Sequence, residues 1–138
     1  TGAQREDPLF GSTIITDEVV GGNDRETLVQ TFRLLGETSV WVRPLTTKVA
    51  PKVNPEHALT DLPEEVEKRD VWVVEATHKN PKYLFSKMVY YVDKQLYVMQ
   101  MTESYDRKGQ LWKRHWPCWR VNEQGIPVNY LSFDLDLQ

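Results

Sequence analysis

The chain has 138 residues, a hydrophobic fraction of 40% and a charged fraction of 27%, which are ordinary values for one globular domain and argue against disorder. Its net charge of −3 argues against nucleic-acid binding, because such proteins usually carry a net basic field. No apolar run reaches the roughly 18 residues that a membrane-spanning helix needs. The single cysteine, Cys118, excludes an internal disulfide.

The first half of the chain combines strand patterns with turn and loop signals. Thr27–Leu35 alternates polar and apolar side chains for most of its length and is predicted to be a strand. Gly36-Glu37 favours a tight hairpin turn, after which Thr38–Arg43 is predicted to be a second strand. Leu45–Lys68 is rich in proline and is predicted to be a long loop, with at most a short helix near Glu64–Lys68.

The second half carries the strongest strand signals. Five strands are predicted, over Arg69–Thr77, Tyr83–Val92, Leu96–Ser104, Leu111–Trp119 and Val128–Leu135. The connections between them are short, so that neighbouring strands must run antiparallel. The sequence therefore predicts a mainly β fold with little helix, built as a curved antiparallel meander sheet or an unclosed β-barrel. We expect one domain over residues 1–138.

Aromatic and methionine side chains recur along these strands and are predicted to share one apolar, concave face. The residues predicted to bind a hydrophobic ligand there are Trp72, Met88, Tyr90, Tyr97, Met99, Met101, Trp112 and Phe133. Trp116, Leu131 and Leu135 are expected to continue the same face. Flexible thioethers adapt to irregular apolar guests, which favours a ligand. The alternative is that the face is an ordinary hydrophobic core.

Residue types that could carry catalysis occur without a matching arrangement. His57, His78 and His115 are far apart and share no ligand spacing, so neither a metal site nor a cofactor is predicted. His115 lies close to Cys118 in sequence, but strand alternation points their side chains to opposite faces. A small buried thiol beside a surface histidine is the simpler interpretation, and the chain is predicted to have no catalytic residue.

Several segments resemble the C-terminal part of a large bacterial family of uncharacterised proteins that are called outer-membrane lipoprotein-sorting-like. The segments are Arg69–Thr77, Ser86–Lys94 and Glu103–Lys113, with Phe10-Gly11-Ser12 and Trp41–Leu45 upstream. That family is grouped with the LolA/LolB-like carriers. The resemblance implies a curved sheet around an apolar cavity in a periplasmic protein. The motifs that carry the resemblance contain no catalytic residue. Such carriers hold acyl chains or lipids between membranes.

Three functional hypotheses follow. The first is a periplasmic carrier module for a lipid or lipoprotein acyl chain, peripheral to the outer membrane. The second is an assembly subunit whose apolar face packs on a partner chain. The third is an enzyme using His115, Cys118 or an acidic pair. Members of the resembled family are longer than 138 residues, so we expect a C-terminal portion or a short relative; Thr1 is compatible with a removed leader or a fragment boundary.

Overall fold

The computed structural model describes residues 29–45 and 65–138. Their elements are six strands: β1 Gln30–Val42, β2 Glu67–His78, β3 Lys87–Asp93, β4 Met99–Tyr105, β5 Leu111–Val121 and β6 Pro127–Asp136. Every strand pairs antiparallel with its neighbour in the chain, in the order β1-β2-β3-β4-β5-β6. The predicted curved meander is confirmed, and the described strands do not close into a barrel, because β1 and β6 form the two edges. None of the described elements is a helix with the length and apolar character that a bilayer crossing requires.

The first strand differs from its prediction. Gly36-Glu37 does not form a hairpin turn; β1 continues through it and pairs with β2 along its whole length. The register shifts between Leu34 and Gly36, so Leu35 is an extra residue in a β-bulge. Glycine in a strand pattern indicates either a turn or a bulge. Here β1 pairs with β2 on both sides of Gly36, so the glycine belongs to a bulge.

Two other predicted boundaries also change. The predicted loop over residues 45–68 lies mostly outside the described residues, but Glu67 and Lys68 begin β2 instead of ending a short helix. Tyr83–Ser86, predicted as the start of a strand, precedes β3 and is not part of a strand. Tyr83 and Phe85 are instead buried against the sheet, where their rings contact each other edge to face.

The two sides of the sheet do not divide into one apolar and one polar face. Directly paired residues share a side, so the register defines both. The Met88 face carries Val74, Ala76, Met88, Tyr90, Ser104, Thr102 and His115. The Phe133 face carries Val71, Asp93, Glu103, Arg114, Trp116, Leu131 and Phe133. The prediction of a single apolar face is therefore wrong, because apolar and polar side chains lie on both.

A β-bulge in β4 causes part of this mixing. The pairing with β3 passes from Tyr91–Met101 to Val92–Met99, so Gln100 is an extra residue. One extra residue reverses the side on which the following side chains lie. Met99 consequently lies with Val92 on the Met88 face, whereas Met101 lies on the Phe133 face.

A second bulge has the same effect in β5. The pairing with β4 passes from Ser104–Lys113 to Tyr105–Leu111, which leaves Trp112 as the extra residue. Trp112 packs against the core on the Met88 face, but Trp116 pairs with Phe133 on the opposite face. The predicted alternation across β5 fails at this bulge.

Candidate functional site

The residues predicted to bind a ligand fall into three groups. Met88, Tyr90, Met99 and Trp112 pack in or against one core cluster, Trp72 and Tyr97 form an aromatic pair, and Met101 and Phe133 lie on the Phe133 face. The structure therefore does not bring all eight together.

The core cluster on the Met88 face is tightly packed. Its buried members are Ala76, Tyr83, Phe85, Met88 and Tyr90. The ring of Phe85 meets Trp112 edge to face at 5.7 Å between centroids. The gap between this cluster and its neighbours has no room for a water molecule. A ligand could enter only by displacing packed side chains.

The aromatic pair of Trp72 and Tyr97 is more accessible. The two ring centroids are 5.8 Å apart, and the side chain of Lys94 reaches within 5.9 Å of the Trp72 ring. Tyr97 is 73% exposed and has φ of +56°, a conformation that is rare for a bulky residue. These contacts make an exposed surface patch without the enclosure that a buried ligand requires.

The Phe133 face contains a partly open apolar space. A cavity of about 240 Å³, here called the Phe133 pocket, lies between the end of β1 and strands β5 and β6. It is lined by Trp41, Val42, Arg43, Leu45, Val66, Gln100, Trp116, Pro117, Cys118, Trp119 and Phe133. Apolar side chains dominate this lining, and among the described residues no carboxylate takes part.

Strand pairing and sheet curvature together build the pocket. The cross-strand pairs Trp116–Phe133 and Cys118–Leu131 place apolar side chains side by side on one face. The N–H of Val121 in β5 donates to the carbonyl oxygen of Leu45 at 3.1 Å. Because β1 and β5 are not neighbours in the sheet, this bond requires the sheet to curve, and it brings the segment after β1 over the pocket.

Arg43 is the single charged side chain lining this pocket among the described residues. Its guanidinium carbon lies 5.7 Å from the centre of the Phe133 ring, within cation–π range. Burial raises the pKa of the neighbouring Cys118 thiol, and the positive charge of Arg43 opposes that rise. The pocket therefore combines an apolar lining with one fixed cation.

Cys118 and His115 do not form a nucleophilic pair. Cys118 pairs with Leu131 on the Phe133 face, whereas His115 pairs with Asp134 on the Met88 face, where Nδ1 lies 2.6 Å from the carboxylate. Because burial raises its pKa, the thiol has little thiolate character. This arrangement supplies burial of apolar groups but no activated nucleophile from these two residues.

Buried carboxylates on the Phe133 face were not predicted from the sequence. Asp93 accepts hydrogen bonds from Arg69 at 2.8 and 2.9 Å, and Glu103 accepts them from Tyr91, Tyr105 and Arg114. A cavity of about 270 Å³ beside Asp93 is lined by charged and polar side chains. Because Asp93 and Glu103 are already paired with donors within the protein, a structural role is the simpler interpretation. Only the strand register could have revealed these partners.

Comparisons with known proteins place the chain in a family. Residues 29–136 match a family described as protein of unknown function (DUF1329). No curated protein matches the chain.

Two solved structures share the fold. One is a candidate outer membrane lipoprotein-sorting protein domain from Vibrio parahaemolyticus, with 16% identity and a TM-score of 0.64, covering 99% of this chain and 46% of that one. The other is a DUF1329 family protein from Desulfovibrio piger ATCC 29098, with 16% identity and a TM-score of 0.62, covering 99% of this chain and 45% of that one. The chain thus spans about half the length of both. The predicted resemblance to a lipoprotein-sorting-like family is confirmed, and the chain belongs to the DUF1329 family.

Proposed function

We propose that this protein is a non-enzymatic binding and carrier module that holds a hydrophobic ligand, a lipid or acyl chain, in the Phe133 pocket. The observation that carries the proposal is the cavity of about 240 Å³ with its mainly apolar lining. Its volume is somewhat below the roughly 300–1,000 Å³ typical of small-molecule sites, which suits part of an acyl chain. The shared fold with a candidate lipoprotein-sorting protein domain supports a periplasmic carrier role.

Burial alone accounts for such binding. Each methylene group that leaves water for an apolar site contributes about 0.8 kcal/mol, so six of them give about 5 kcal/mol before the cost of association. No bond to the ligand has to form or break. The protein would release its cargo when a better apolar site becomes available.

The Phe133 pocket is a better candidate than the core cluster because it has room. A ligand-binding role for the eight residues predicted from the sequence remains a prediction. Phe133 is the member of that set that lines the pocket. Met88, Tyr90, Met99 and Trp112 already contact one another or their neighbours in the core cluster. Tyr97 and Trp72 offer a more accessible surface on the Met88 face, which an acyl chain could contact but not enter.

A charge placed in the pocket tests the proposal. Phe133→Asp is expected to weaken binding of decanol at least about tenfold, because a carboxylate next to the alkyl chain would lose its hydration. Isothermal titration calorimetry measures the affinity, and circular dichroism checks that the variant is folded. Leu135→Asp is the matched control, since Leu135 lies on the same strand and face but is 43% exposed and outside the pocket lining. Equal affinity of the wild type and a folded Phe133→Asp variant would disprove this use of the pocket.

An assembly subunit is the second candidate, and the edge strand β1 favours it. Phe32, Leu34 and Leu35 are 41%, 61% and 47% exposed on this edge, where an unpaired strand can accept another chain. Light scattering during gel filtration separates the two candidates. A monomer that carries lipid supports the carrier, whereas an obligate complex supports the subunit.

A further inference from the structure

The lining of the Phe133 pocket includes the side-chain amide of Gln100. Gln100 is the extra residue of the bulge in β4, and a bulge can turn a side chain away from the regular alternation of its strand. The residue is only 3% exposed. A buried amide needs a partner for its nitrogen and another for its oxygen, so the two ends of this side chain have to be accounted for separately.

The nitrogen end of the amide has a fixed partner. Nε2 of Gln100 donates to Oδ2 of Asp93 at 3.0 Å. Burial raises the pKa of Asp93, but the donors around this carboxylate outweigh burial and lower the pKa, so at neutral pH it is ionised and can only accept hydrogen bonds. An amide turned the other way would place two oxygen atoms against each other. Asp93 therefore fixes the orientation of the Gln100 amide.

The oxygen end of the amide is left for a guest. None of the residues that the structure describes donates a hydrogen bond to Oε1 of Gln100, and this atom is not sealed from the space around it. Because Gln100 lines the Phe133 pocket, the pocket is the space that Oε1 meets. An almost buried carbonyl oxygen without a donor favours a guest that brings one.

Such an oxygen in an apolar pocket distinguishes between headgroups. A hydroxyl group or an amide N–H can donate to it while the attached alkyl chain lies against Trp116 and Phe133. An ether or a tertiary amide brings only acceptors and would leave Oε1 of Gln100 unpaired. A site with a buried polar group rejects an analogue that lacks its partner more strongly than an apolar site rejects a small change in size.

We propose that the Phe133 pocket selects single alkyl chains that carry a neutral hydrogen-bond donor, a hydroxyl group or an amide N–H, which donates to Oε1 of Gln100. The inference rests on the proposed function and specifies its ligand class. Asp93 is a positioning residue in this site, because it holds the amide and does not contact the guest. The hydroxyl would come from an alcohol or a hydroxylated acyl chain, and the N–H from an N-acylated headgroup.

Two matched pairs of ligands with a ten-carbon chain test the inference by calorimetry on the wild-type chain. Decanol is compared with methyl decyl ether, and N-methyldecanamide with N,N-dimethyldecanamide. In at least one pair the member with a donor is expected to bind about fivefold or more tightly, which is the worth of one hydrogen bond to a buried acceptor. A preference in the first pair alone assigns a hydroxyl group, and a preference in the second pair alone assigns an amide N–H.

A variant locates the acceptor. Gln100→Met keeps a side chain of similar length without a carbonyl oxygen, and it should reduce the preference for donors to within about twofold while changing the affinity for methyl decyl ether by no more than about twofold. Circular dichroism checks that the variant is folded, because Asp93 loses one donor. Gln95→Met is the matched control, since Gln95 is exposed, gives Asp93 its backbone N–H and lies outside the pocket lining. It should keep the full preference.

The outcomes separate the inference from the function beneath it. If the ether and the tertiary amide bind the wild type as tightly as their partners, or if folded Gln100→Met keeps the preference for donors, the assignment of Gln100 is wrong and the carrier proposal stands. The ligand pairs decide on the wild type alone if Gln100→Met does not fold. If none of the four ligands binds the folded wild-type protein, both proposals are wrong.

Discussion

Asp93 illustrates how single polar residues organise the interior of this sheet. Its carboxylate is fully buried and accepts two bonds from Arg69, two from the backbone N–H groups of Gln95 and Leu96, and one from Gln100. Burial by itself raises the pKa of Asp93, but these donors outweigh it and lower the pKa from 3.8 to about 2. The carboxylate thus fixes the turn between β3 and β4 and the Gln100 bulge at once.

The Asp93 network predicts a specific loss of stability. Asp93→Asn is expected to lower the free energy of unfolding at pH 7 by about 3–5 kcal/mol, because Arg69 would lose its buried counter-charge. Urea unfolding followed by circular dichroism measures this loss. Asp70→Asn is the control, since the exposed Asp70 carboxylate accepts a hydrogen bond from the Ser39 hydroxyl at the surface, and we expect a loss below about 1 kcal/mol.

The same network predicts how the loss depends on pH. A carboxylate whose pKa is lower in the folded state stabilises the fold above its unfolded pKa, and that contribution disappears as pH falls from about 4 to about 2. The difference in the free energy of unfolding between the wild type and Asp93→Asn should therefore become smaller in acid. A difference that stays constant from pH 7 to pH 2.5 would contradict the ionised, paired state of Asp93.

At the scale of elements, β-bulges decide which face each side chain occupies. Leu35 in β1, Gln100 in β4 and Trp112 in β5 are each one residue more than the partner strand needs. Gly36 follows the first bulge with φ of +153°, and a Cβ added there would meet no atom within 4 Å. Strand register and the backbone conformation of Gly36 therefore account for the bulge, and steric crowding around Gly36 does not.

Deletions in β1 test this interpretation. Removing Leu35 is expected to leave a regular β1–β2 ladder in which the residues before and after the deletion keep their present partners. The free energy of unfolding should fall by no more than about 1 kcal/mol, because Leu35 is half exposed. Removing Thr38, another exposed residue of β1, should cost at least about 2 kcal/mol. Without Thr38, one of two changes must follow. Either Glu37 takes the place of Thr38 opposite the buried Val71, or every residue of β1 after the deletion moves to the other face of the sheet. Thermal and urea unfolding measure both variants, and equal losses would contradict the assigned bulge.

The bulges also mark the limit of what the sequence predicts. Strand alternation and turn residues located β2, β4, β5 and β6 to within a few residues, since such signals are local. The face of Met101 or Trp116 depends on an extra residue elsewhere in the same strand, and that is settled by pairing with a neighbour. Phe133 was found among the candidate residues, whereas Arg43 was not, because its position at the pocket depends on the curvature that brings residues 43–45 to β5.

At the scale of the whole molecule, the sheet has a protected centre and two edges. β3 and β4 are paired on both sides and contain Val89, Tyr90, Thr102, Glu103 and Ser104, which are all buried. β6 pairs on one side with β5, and its last residues are exposed. The ligand proposed for the Phe133 pocket would contact the less protected half, near β5, β6 and the end of β1.

Hydrogen exchange followed by mass spectrometry tests this gradient and its response to ligand. Amides of β3 and β4 are expected to exchange at least about tenfold more slowly than those of β1 and β6, because opening the centre requires more of the sheet to separate. Decanol at saturating concentration should slow exchange in β5, β6 and residues 42–45, since the ligand contacts those segments, and should change β3 little. Phe133→Asp provides the control, in which the response to decanol should be lost. Protection of β1 as strong as that of β4 without any ligand would instead indicate that another chain covers this edge, which is what the assembly subunit requires.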